Sequence, residues 1–146
     1  MVDTNASAIV TIGRVTAAIL ATTVGAAALG SVAILAFIAY TAHEPLRAVH
    51  MIWTGIFLWG LIYAVIPALV LGLLFEQAIG RVIDARSGLL VHVIASAVIG
   101  AFLLGALAWF ADPPDRFEAA LFLAFFGALG GVSSALAWRR FVFRHP

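Results

Sequence analysis

The 146-residue chain has no cysteine and no lysine. The first absence excludes a disulfide, a thiolate metal site and a cysteine nucleophile. The second leaves the whole positive charge to eight arginines, which, with the abundance of Ala and Gly, fits the coding bias of a GC-rich bacterial genome. Charge of either sign is scarce: 10% of residues are charged against 64% hydrophobic. A surface facing water draws on roughly 25% charged residues, so lipid must solvate most of this chain. The net charge of +1 offers nucleic acid no electrostatic footprint.

What is abundant is the long apolar run. A membrane-crossing helix needs about 20 mainly apolar residues, and the stretches 15–42, 51–75, 89–111 and 117–138 meet that requirement. They are joined by "HEPLRAVH", "EQAIGRVIDARS" and "DPPDR". Connections this short predict an all-α membrane protein, one domain over residues 1–146, with four transmembrane helices in an up-down-up-down bundle. The alternating strands of a closed barrel are missing from the sequence. The first apolar run is too long for a cleaved signal peptide and reads as a retained helix; whether residues 5–13 extend it is open at this level.

Arg14, Arg81, Arg86, Arg139, Arg140 and Arg144 fall on one side of this topology, and Arg47 and Arg116 on the other. That asymmetry places both termini in the cytoplasm and the chain in a bacterial cytoplasmic (inner) membrane. Glu76 and Asp84 are read at the inner edge, and Glu44, Asp112, Asp115 and Glu118 at the outer one. The spans are then free of ionised side chains.

Apolar burial does not drive helices together in lipid, so close backbone approach must do so. Small residues recur every fourth position: Ala18, Thr22, Ala26 and Gly30; Gly60, Ala64, Ala68 and Gly72; Ala97, Ala101 and Gly105; and the GxxxG of Gly127 and Gly131, extended by Ala135. Aromatic residues mark the ends, with Trp138, Phe141 and Phe143 read as an inner interfacial belt. Asp115 is expected to cap the last helix. The spacing of Ala78, Ile79, Val82 and Ile83 predicts an amphipathic continuation of the second helix along the membrane surface, ending near Gly88. "WRRFVFRHP" reads as an anchor to anionic lipid.

Three sets of residues could carry chemistry. Pro67 removes a backbone hydrogen bond from the second span, and Trp59 and Tyr63 share a face beside it. They would line a pocket for a quinone or a lipid. His92 is the lone imidazole in an apolar run; as a haem b ligand it lacks a partner, since His50 stands at the opposite end of a core about 30 Å thick. With no carboxylate assigned to the spans, it is expected to be neutral, bonded near Ser96 and structural rather than a proton relay. In the outer loop, His43, Glu44 and His50 are a candidate divalent-metal group, although their spacing matches no established ligand pattern. No cofactor is expected, and haem b or quinone is the exception to watch.

The ending "WRRFVF" resembles the arginine–aromatic helix endings of GtrA-like polyprenyl-lipid flippases, which are also small four-span proteins. The likeness is confined to those residues, and the other three spans do not align with that family, so the chain is not assigned to it.

No catalytic constellation stands out, which argues against an enzyme. Abundant packing motifs point instead to an accessory, structural or assembly subunit of a larger membrane complex. Its partners would be lipids and other integral membrane subunits, or copies of itself, with Gly127, Gly131 and Ala135 as the contact face. The alternative is a small carrier or pore for lipids or neutral solutes, which requires a cavity near Trp59, Tyr63 and Pro67.

Overall fold

The structure, a computed structural model, describes residues 4–42, 46–110 and 115–143. Every described residue except Asp115 is helical. Helix α1 spans Thr4–Ala42, so residues 5–13 do extend it. Helix α2 covers Leu46–Val70 and runs into a π-helical segment, Leu71–Gly80. Helix α3 is Arg81–Phe110, and α4, Arg116–Trp138, passes into a second π-helical segment, Arg139–Phe143. Among the described residues, three helical stretches are long and apolar enough to cross a membrane: Ile9–Tyr40, Trp53–Phe110 and Arg116–Phe143.

The middle stretch has 58 residues and, if straight, would measure about 87 Å at 1.5 Å per residue. It is not straight. Gly88, with φ 79° and ψ 177°, occupies a backbone region open essentially to glycine alone. The chain turns back there, where the sequence placed the end of the second helix. Glu76 and His92, on either side of Gly88, would lie about 24 Å apart on one straight helix, yet their side chains touch.

Backbone contact through small residues holds the helices together. A Cβ on Gly100 of α3 would overlap the carbonyl oxygen of Gly127 on α4, and one on Gly131 would overlap that of Ser96. Gly25 and Gly30 of α1 face Ser133 and Phe126 of α4, and Gly60 of α2 faces the backbone of Ala27 on α1. The expected ladder does meet α4: Ala97 lies against Gly131, Ala101 against Gly127, and Gly105 against Ala120 and Ala124. The fully covered positions beside it are His92, Ser96, Gly100 and Ala108, so the packed face of α3 is wider than one small-residue stripe.

Three further expectations are corrected. Glu76, read at the inner edge, instead belongs to the covered face of the π-helical segment with Leu71, Gly72, Phe75 and Gly80, which continues the ladder of Gly60, Ala64 and Ala68, while the apolar Ala78, Ile79 and Val82 point outward. Trp138 is not an interfacial belt residue: it has no exposed surface, because its indole fills the space left by the missing side chain of Gly72. Asp115 takes the N-cap position of α4 without a side-chain bond, and its backbone carbonyl accepts from the amide of Ala119 at 3.0 Å.

Candidate functional site

The molecule has two features that packing alone does not account for: a buried polar cluster at one end and an apolar cavity toward the other. The cluster begins with Glu76. The small-residue ladder of α2 and the π-helical segment turns its carboxylate inward, where it has no exposed surface. Its Oε1 accepts a hydrogen bond from the Ser96 hydroxyl at 2.9 Å. Its Oε2 lies 2.6 Å from Nε2 of His92, which is equally buried. One proton is shared at this contact: an imidazole protonated on Nε2 donates to the carboxylate, and a protonated carboxyl would donate to the bare nitrogen. Gly80 is needed beside them, since a Cβ there would strike the Glu76 carboxylate.

On the other side of the ring, Nδ1 of His92 lies 3.5 Å from Oδ1 of Asp84. The same oxygen lies 3.3 Å from Nε of Arg139. None of these three atoms has a hydrogen-bond partner, although all three are buried. A chain of polar groups therefore runs Ser96, Glu76, His92, Asp84, Arg139, with its loosest links at Asp84. The Phe143 ring tilts against the imidazole at a centroid distance of 5.7 Å and closes the cluster from the carboxyl-terminal side.

The sequence reading of His92 is corrected by this arrangement. It gave His92 no carboxylate neighbour; Glu76 is buried against the ring, and Asp84 approaches the ring from the turn side. Ser96 is indeed close by, but its bond goes to Glu76. The missed signal was present: the ladder Gly60, Ala64, Ala68, Gly72 reaches Glu76 and Gly80 at the same four-residue step. A glutamate on a stripe of small residues is a buried glutamate.

The cavity, about 610 Å³, lies between α1, α2 and α4, with Leu104 reaching in from α3. It is open on one side, and Trp59, Gly60, Ala64 and Pro67 form its α2 wall. Its hydroxyls are Thr22 and Ser31, which donate to their own helix, to the carbonyls of Ala18 and Ala28 at 2.8 and 2.9 Å. They have no donor left for a ligand. A second hollow of about 620 Å³ adjoins it between α1 and α4, sharing Ile34, Phe122 and Phe126, with Glu118 at its rim.

Of the residues singled out from sequence, Trp59 lines the cavity, and Tyr63 lies within α2 with its side chain outside the described set. His92 belongs to the polar cluster and not to the cavity, so the two halves of that candidate group are separate. Both ring nitrogens of His92 face carboxylates, and a haem iron would have to displace one. His43 and Glu44 lie outside the described residues, as does the side chain of His50. Among the described residues no group of three or more His, Asp or Glu side chains could hold a metal ion. Gly127, Gly131 and Ala135 are buried within the chain, the two glycines against α3, which covers the face that the sequence offered to another subunit.

The chain matches no protein-family model, no curated protein and no solved structure.

Proposed function

We propose that this protein is a small membrane carrier for an apolar, lipid-like molecule. Four membrane crossings are part of the proposal, with the chain reversing at Gly88 and both termini on the arginine-rich cytoplasmic side of a bacterial inner membrane. The cavity is the observation that carries it. Its volume, about 610 Å³, falls within the ~300–1,000 Å³ of ligand sites. Its two hydroxyls already give their protons to their own helix, so an acyl or isoprenoid chain can enter without stranding them, whereas a polar solute would lose more hydration than the two acceptor oxygens return. A quinone tail belongs to the same chemical class.

The accessory-subunit role is the second reading. Its motivating surface, Gly127 to Ala135, is covered within the chain, so a partner would have to use another face.

Native mass spectrometry in mild detergent, with lipid extraction and an absorption spectrum on the same sample, is the first test. A lipid-sized adduct on the isolated chain, and transfer of that lipid between leaflets of liposomes containing this protein alone, support a carrier. A chain recovered bare in a larger assembly and silent in liposomes sinks the carrier and favours the accessory role. A Soret band would point to haem instead.

A further inference from the structure

The polar cluster plays no part in holding an apolar ligand, and it is expensive to keep. Each unpaired polar group in a dry interior costs on the order of a few kcal/mol, and burying ions costs more. Here Glu76, His92 and Ser96 are fully covered, while the atoms between His92, Asp84 and Arg139 are covered and unbonded. A purely structural pair would close that gap. Glu76 also stands on a π-helical segment, a rare conformation that recurs at functional sites.

We infer that His92, clamped between Glu76 and Asp84, is a proton-exchange site that communicates with the arginine-rich surface through Asp84. The groups facing the ring are few. The π-helical segment contributes Glu76, the first turns of α3 contribute Asp84, and the carboxyl-terminal segment contributes Phe143 and, one step further out, Arg139. Ser96, one turn along α3, acts on Glu76. Helix α1 brings Arg14 toward this end, half-buried and already engaged by another group. Arg81, Arg86 and Arg140 are exposed around the cluster's own elements.

In the loaded state the imidazolium donates from Nε2 to Glu76 and presents its Nδ1 proton to Asp84. Two carboxylates, one imidazolium and one guanidinium then sum to zero, so the buried cluster is electrically neutral. Closing the 3.5 Å gap between Nδ1 and Oδ1 lets the proton pass to Asp84. The ring is left neutral, with its remaining proton on Nε2 still bonded to the Glu76 carboxylate. The neutral Asp84 carboxyl, whose side chain is partly exposed, releases the proton to surface water and returns to the carboxylate. One proton moves from nitrogen to oxygen to water, and nothing is oxidised or reduced. Such links are often long at rest and tighten only when used.

The test is nitrogen NMR of the protein in lipid nanodiscs, with ¹⁵N-labelled histidine and the His92 signal identified by its loss in His92→Gln. The expected result is a one-proton step between imidazolium and the Nε2–H neutral form, within the pH range where circular dichroism shows an unchanged fold. Asp84→Asn should keep the fold and slow proton exchange at His92 by roughly a hundredfold, the scale of one positioned acid–base group. A His92 signal fixed in one protonation state across that range overturns the inference. So does an Asp84→Asn protein that exchanges as fast as the parent. Neither outcome depends on the cavity holding a lipid.

Discussion

Glu76 and His92, 16 residues apart in sequence, meet at 2.6 Å through Oε2 and Nε2, with both side chains wholly covered. This one contact ties the π-helical segment to α3 across the reversal at Gly88. Removing one partner strands the other, and losing half of a buried pair costs about 3–5 kcal/mol. Glu76→Ala should therefore be severely destabilised in reversible detergent unfolding. Glu76→Gln, which keeps both the shape and an acceptor for Ser96, should lose distinctly less. Equal losses for the two would mean that the carboxylate charge carries the contact, whereas a Gln variant as stable as the parent would reduce the carboxylate to bulk.

The turn at Gly88 makes a different prediction. A Cβ there would meet nothing within 4 Å, so packing gives no reason to keep glycine. The backbone does: with φ at 79° and ψ at 177°, any side chain costs on the order of 1–3 kcal/mol. Gly88→Ala should show that loss, and Gly88→Asn should not recover it, because the conformation is not the left-handed helical one that asparagine tolerates. An alanine variant as stable as the parent would remove the strained turn from the account.

Between α3 and α4 the limiting quantity is space. Gly100→Ala must push a Cβ into the Gly127 carbonyl, and overpacking of this kind costs roughly 1–3 kcal/mol. Gly55→Ala, at a position open for at least 4 Å, is the control and should stay within about 0.5 kcal/mol of the parent. Unfolding midpoints of the two variants, measured side by side, decide the matter.

Filling the cavity tests the carrier without touching the polar cluster. Ala64 lies on its α2 wall, and Ala64→Trp would occupy much of the space of an acyl chain. Co-purified lipid and transfer activity should both fall at least tenfold, a loss of about 1.4 kcal/mol of binding, while the His92 signal stays as in the parent. Undiminished transfer would place the pathway elsewhere.

The all-helical class and the membrane-length apolar stretches were legible from composition and run length, because only helices and closed barrels satisfy their backbone in lipid, and the alternating strands of a barrel are missing from the sequence. The small-residue ladders were legible too. Gly60 through Gly72 already pointed at Glu76, but the glutamate was read as a surface residue because sequence alone puts charge outside. On α3 the ladder Ala97, Ala101 and Gly105 does meet α4, but the wholly covered His92, Ser96 and Gly100 beside it were not marked as part of the same face. Periodicity fixes the spacing of a face, but its width depends on the helix opposite.

The sequence by itself determined the solvent of this protein, the elements that solvent permits, and the places where backbones can approach closely. These follow from single-helix properties: length, polarity and the absence of side-chain bulk. The tertiary structure alone decided that Glu76, Asp84, Ser96, His92 and Arg139 share one site, and that α1, α2 and α4 leave a cavity instead of closing. Both outcomes depend on the turn at Gly88 and on how Gly100 and Gly131 seat α3 against α4. Contacts between residues distant in sequence are set by the packing of several helices at once, and no single helix encodes them.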